Sequence, residues 1–191
     1  MSISTTELED RKVGKDLYSY QKGAINKIFK SFEESPDDYH LLYQLPTGGG
    51  KTVIFSEIVR QYLKHHNKKV LVMTHRIELC KQTSKMLTEF GVLNKVVDSK
   101  ADLSDQGNYS CFVAMVETLN NRLNDDKLDI SDIGLVIIDE AHYNSFTKLF
   151  KFFSQSFILG VTATPLSSSM ELPMTDNYDE LIVGESIEYL I

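Results

Sequence analysis

Cysteine is scarce in this chain: Cys80 and Cys111 are the only two among 191 residues. Each stands in an apolar run, and no C-x-x-C pair exists. These facts argue against a disulfide framework or a zinc site, and reduced core thiols of a cytoplasmic protein are the expectation. Long hydrophobic runs are missing too. None approaches the roughly 20 residues a membrane helix needs. The polar, acidic stretch 1–10 holds no apolar signal segment. Positive charge is in deficit, with 20 Lys and Arg against 27 Asp and Glu, a formal net charge of −7. Nonspecific affinity for nucleic acid comes largely from cations that neutralise phosphates, so the balance argues against a general polyanion-binding coat. A local basic track stays open. Low-complexity tracts and internal repeats are also lacking.

What is present is an ordinary globular composition, 42% hydrophobic and 25% charged, in a length that buries a core without staples. Residues 1–16 are mixed in charge and aperiodic, and are expected to form a flexible arm before one domain at 17–191. Ser19 is placed to cap a helix over 20–32, where Ala24, Ile25, Ile28, Phe29 and Phe32 recur at helical spacing. Short apolar runs then alternate with helical patterns. Strands are predicted at 40–44, 69–74, 111–115, 135–139 and 157–162, and helices at 51–63 and 76–90. Residues 177–191 are acidic and partly helical in pattern. This alternation predicts an α/β fold with a mostly parallel sheet and helices on both faces.

Three motifs carry chemistry. Leu45-Pro-Thr47-Gly48-Gly49-Gly50-Lys51-Thr52 joins a strand to a helix through glycines. Glycines let backbone N–H groups face a phosphate, and the helix N-terminus favours the negative charge. Lys51 reaches terminal phosphates and the Thr52 hydroxyl ligates Mg²⁺. The bland alternative is a glycine-rich turn. Asp139-Glu140-Ala141-His142 follows the apolar run 134–138. It delivers two carboxylates at a strand's C-terminal end, where ligands bind in open α/β sheets. Asp139 suits Mg²⁺ and Glu140 suits the role of general base; an exposed acidic turn is the alternative. Gly160-Val-Thr162-Ala-Thr164-Pro165 ends the next strand with two hydroxyls that could bond the acidic pair.

Weaker signals surround them. Gln21 lies thirty residues before Lys51 and could read adenine, since an amide donates and accepts at once. A polar residue on a surface helix fits as well. Stretches 74–79, with Arg76, and 113–118, ending in Thr118, each follow a strand and open a helix. Both could hold backbone phosphates of a nucleic acid, and capping explains both equally. Lys64, His65, His66, Lys68 and Lys69 read as a solvated face.

In this order and spacing, the motifs resemble the N-terminal RecA-like domain of superfamily 2 DEAD/DEAH-box helicases. Tyr20-Gln21 resembles the Q element, LPTGGGKT motif I, THRIEL motif Ia, DEAH motif II and VTATP motif III. Within the superfamily the DNA-repair and phage group with RadD, XPB and UvsW, and the type I and III restriction motors, are most similar. The resemblance implies a P-loop ATPase that uses ATP and Mg²⁺ and acts on nucleic acid, with DNA the expected partner. It implies that Lys51, Asp139 and Glu140 are catalytic. Gln21, Thr47, Gly48, Gly49, Gly50, Lys51 and Thr52 would bind ATP, and Thr52 and Asp139 the metal. His142, Thr162 and Thr164 would couple hydrolysis to movement, and Arg76 and Thr118 would touch nucleic acid. It also implies a partner domain, a second RecA-like unit with an arginine finger. Nothing after Pro165 resembles that unit, so a fragment of a longer protein is expected.

The chain departs from the family pattern at three positions. Leu45 stands where Gly or Ala is usual, Tyr18 where Arg is frequent, and Glu117 where Gln is common. Two rival readings remain: an ATPase of another class, such as a small-molecule kinase, and a noncatalytic nucleotide-dependent interaction module. No Arg-rich lid segment follows the acidic pair to support the kinase.

Overall fold

The computed structural model describes residues 16–125, 127–141, 144–163 and 177–185. They form a seven-stranded sheet in which every paired strand is parallel. In chain order the elements are α1 (Ser19–Glu34), β1 (His40–Gln44), α2 (Lys51–His65), β2 (Lys69–Thr74), α3 (Ile77–Glu89) and β3 (Asn94–Val97). They continue with β4 (Cys111–Met115), α4 (Val116–Asn124), β5 (Ile133–Asp139), the 3-10 segment Asn144–Phe153, β6 (Phe157–Thr162) and β7 (Glu180–Val183). The spatial order is β3-β4-β2-β5-β6-β1-β7.

All seven residues of β5 and all six of β6 are buried, as central strands covered on both faces must be. Side chains that alternate along the strands divide into two cores. Ile54, Phe55 and Ile58 of α2 share one face with Ile25 and Ile28 of α1 and Leu87 of α3. Leu119 and Leu123 of α4 cover the other face with Phe146, Leu149 and Phe153. Cys80 and Cys111 are free and fully buried, as their apolar settings suggested. Among the described residues no helix is long and apolar enough to cross a membrane.

The structure corrects several sequence expectations. Tyr18, not Ser19, is the N-cap of α1; its backbone N–H is satisfied by the Gln21 side chain at 2.9 Å. Arg76 precedes α3 as its N-cap instead of belonging to it. Two strands, β3 and β7, lie where none was predicted. β7 occupies part of the acidic stretch read as partly helical; its burial alternates residue by residue, and it pairs with β1 in register Leu41 to Glu180. The proposed arm lies almost entirely outside the described residues. Lys64, His65, His66 and Lys68 are exposed as expected, whereas Lys69 is half-buried, with its ammonium over the Phe112 ring.

Candidate nucleotide site

β1 ends at Gln44, and the chain turns through six residues into α2. Two of them, Gly48 and Gly50, have φ of 85° and 80°, a left-handed backbone that only glycine adopts without strain. Gly50 is the N-cap of α2 and gives it no side-chain cap. Ile54 N–H makes the bond to Gly50 O at 3.0 Å, so the N–H groups of 51–53 precede the helical ladder. Such a terminus, with the positive end of the helix dipole behind it, is suited to a phosphate. Lys51 and Thr52 sit half-buried in this first turn, and Thr47 and Gly48 are exposed on the loop.

The loop is held from below and from the side. Gly49 N–H donates to Pro46 O at 3.0 Å, and Leu45 N–H to Thr162 O at 2.9 Å. Leu45, where the family pattern has a smaller residue, is fully buried in the core beneath the turn. A Cβ on Gly49 would stand 2.6 Å from its Cγ. From the side, the Tyr20 hydroxyl donates to Gly49 O at 2.9 Å. A Cβ on Gly50 would stand 2.5 Å from Gln21 Nε2. Gln21 is therefore a buried residue against the loop, 3% exposed, and the surface-helix alternative for it is overturned. Its Oε1 carries the Tyr18 N–H bond. A carbonyl oxygen has two lone pairs, so accepting and donating capacity toward a base remains.

The acidic pair arrives from two strands away. β5 brings Asp139 to the sheet's C-terminal rim, in register with Val161 of β6, and β6 in turn pairs with β1. Asp139 is buried, and its carboxyl is pushed up from 3.8 to about 6, first by loss of water and then by the charge of Glu140. The Lys51 ammonium and the Glu140 N–H, 3.0 Å from Oδ1, oppose that shift. The positive charge of Lys51 thus acts on Asp139, as one phosphate and metal site requires. Glu140 has φ 56°, a backbone state that costs a non-glycine residue on the order of 1 kcal/mol. Ala141 N–H fixes the turn by donating to Val161 O at 3.0 Å. Thr162 is fully buried at the end of β6, between the two motifs. His142 and Thr164 lie outside the described residues.

The oxygen donors fit a hard divalent ion. A hydroxyl at Thr52 and a carboxylate at Asp139 leave room for water and phosphate oxygens, the habit of Mg²⁺. Among the described residues no group of three or more His, Cys, Asp or Glu could hold a metal. Arg76 is exposed just beyond β2, and Thr118 is half-buried in the first turn of α4 after the neighbouring β4. Both stand at the same rim as the loop, on its far side. Sequence reasoning named Tyr20 only beside Gln21, in the likeness to the Q element, and missed its contact with the loop. Nothing in the spacing said that its hydroxyl reaches residue 49.

Comparison with known proteins finds relatives in sequence and in fold. The sequence model of the family described as "Type III restriction enzyme, res subunit" matches residues 14–167. The IRC3 protein of Saccharomyces cerevisiae is 33% identical over 170 residues, which cover 78% of this chain and 23% of that protein. The ATP-dependent DNA helicase MPH1 of Scheffersomyces stipitis is 30% identical over 171 residues, covering 80% of this chain and 15% of that one. The chain thus spans less than a quarter of the length of either relative. Among solved structures, the UvsW helicase of bacteriophage T4 superposes with a TM-score of 0.69 at 17% identity, covering 96% of this chain and 68% of its own. The Type ISP restriction-modification enzyme LlaGI gives a TM-score of 0.73 at 20% identity, covering 92% and 20%. At those identities the structural likeness concerns the fold.

Proposed function

The chain belongs to the family of the type III restriction enzyme res subunit, as an N-terminal RecA-like domain of superfamily 2, and on that premise we propose that it is the ATP-binding half of a helicase or translocase motor acting on DNA. The observation that carries this reading is the first turn of α2, which has no side-chain cap and holds Lys51 and Thr52, with the buried Asp139 two strands away at the same rim of the sheet. ATP is the substrate. Its phosphates lie on the loop 47–52, where backbone N–H groups and Lys51 neutralise them. Mg²⁺ held by Thr52 and Asp139 would supply charge neutralisation at the phosphate oxygens. Glu140 orients the attacking water and takes its proton, and Gln21 reads the base. His142, Thr162 and Thr164 report the state of the nucleotide to the rest of the motor.

The site lies open at the sheet's rim, and its phosphates need a second wall. We assign that wall to a second RecA-like domain of the same protein, which brings an arginine for the charge that develops on the γ-phosphate, a contribution of about 10³–10⁵ in rate. DNA lies across Arg76 and Thr118, and the protein works in the cytoplasm.

The test is a phosphate-release assay on the 191-residue chain alone and with the second domain supplied, each with and without DNA. The expected result is negligible turnover by the chain alone and DNA-stimulated turnover when the second domain is present. Robust DNA-stimulated turnover by the short chain would overturn the two-domain reading.

A further inference from the structure

The first turn of α1 touches the phosphate loop at two successive peptides, and one of these contacts has a directional consequence. The Tyr20 hydroxyl donates to Gly49 O at 2.9 Å. The peptide that joins Gly49 to Gly50 is trans, as are all the described peptides, and resonance keeps such a bond close to a plane. In a trans peptide the C=O and the following N–H point in opposite directions. Holding Gly49 O toward α1 therefore turns the Gly50 N–H away from α1. That N–H lies at the N-cap of α2, beside the free first turn. A flipped peptide would instead present its carbonyl oxygen there and repel a phosphate. Gly49 and Gly50 carry no side chain to block the flip, and glycine takes the left-handed φ seen at Gly50 about as readily as a right-handed one.

Tyr20 is itself well fixed. Its ring stacks on Tyr18, with centroids 5.9 Å apart and planes 7° from parallel. Burial pushes the phenol above its usual range, so it remains a donor at neutral pH. Gln21 Nε2 stands against Gly50 on the same helical turn and narrows the space into which the peptide could rotate.

We propose that Tyr20 is a positioning residue of the phosphate site: its hydroxyl holds the Gly49–Gly50 peptide in the one orientation that directs the Gly50 N–H at the nucleotide's phosphates. The proposal rests on the reading of loop 47–52 as a phosphate cradle, and it names a residue that acts through the backbone and touches neither base nor phosphate.

The experiment measures binding of ATP and of inorganic tripolyphosphate, both with Mg²⁺, to the wild-type chain and to Tyr20→Phe. The ring and its stacking on Tyr18 survive this change. Affinity for both ligands should fall by the same factor, about three- to tenfold, the range of one lost hydrogen bond. The Gly50 amide resonance of the unliganded variant should broaden or double as its peptide samples two orientations, a signature that a merely structural role would not produce. Unchanged tripolyphosphate affinity with a single sharp Gly50 resonance would overturn the proposal. A loss for ATP without a loss for tripolyphosphate would overturn it too, and would place Tyr20 against the base instead. Failure of the wild-type chain to bind either ligand would overturn the phosphate cradle itself, and this proposal with it.

Discussion

The side chain of Leu45 lies directly beneath Gly49, with its Cγ 2.6 Å from where a Cβ on that glycine would stand. A fully buried leucine thus fills the space under the turn and dictates the residue above it. Gly49→Ala should lower stability by about 1–3 kcal/mol through overpacking, read as a fall in thermal midpoint. Leu45→Ala alone should cost about 2–5 kcal/mol by leaving a cavity. The double variant should be more stable than the sum of the two losses by at least about 0.5 kcal/mol, because each change relieves the other. Strict additivity would mean that the two residues do not meet.

Asp139 gives the site a pH dependence with a definite sign. Its carboxyl ionises at about 6 in the fold against an ordinary 3.8. A carboxyl raised in this way favours the neutral form, so its penalty is absent below about pH 4, grows between about pH 4 and 6, and is complete above 6. At pH 7.5 the buried charge costs the unliganded protein on the order of 3 kcal/mol. Asp139→Asn should therefore raise the thermal midpoint of the unliganded chain at pH 7.5, with the gain vanishing below pH 4. Mg²⁺-dependent ATP binding should weaken in the wild type as pH falls through 6, because the proton competes for the same oxygens. A gain in Asp139→Asn that does not vary with pH would show that the carboxylate is not the source.

Gln21 should govern the choice of base. Gln21→Ala should narrow the preference for ATP over GTP and CTP, since an amide built to pair with adenine is lost. Competition binding with the four nucleotides reads this. An unchanged preference would confine Gln21 to its contacts with Tyr18 and the loop.

Glu140 should separate binding from turnover. With the second domain supplied, Glu140→Gln should retain ATP affinity within about threefold and lose hydrolysis by at least about 10²-fold, as removal of a general base does. Loss of binding and turnover together would point to damage of the strained turn at Glu140 instead of loss of the base.

Much of this was legible in the sequence because its period is strong where burial is complete. Runs such as 135–138 and 157–161 hold no polar side chain, and they became the body of two fully buried neighbouring strands. LPTGGGKT could be placed on a strand–turn–helix because glycine's backbone freedom and the helix start are local properties. The two missed strands lie at the sheet's edges. β7 half-buries alternate residues, and its Leu181 and Val183 stay exposed, so four residues gave no run to notice. β3 is equally short, with one fully buried residue. The burial of Gln21 and the reach of Tyr20 to Gly49 were not legible, because both depend on how α1 lies against a loop thirty residues away. Leu45 looked like a departure until its place in the core explained it.

The central claim is that the loop before α2 binds the phosphates of ATP through Lys51 and with Mg²⁺. Calorimetric titration of ATP and of adenosine into the wild-type chain and Lys51→Ala, with and without Mg²⁺, tests it most directly. The account predicts weak, Mg²⁺-dependent binding of ATP by the wild type. Lys51→Ala should weaken ATP by at least about tenfold, because a charge-assisted contact to phosphate is lost, and should leave adenosine unchanged. ATP binding that ignores Mg²⁺, or an equal loss for ATP and adenosine in Lys51→Ala, would contradict it.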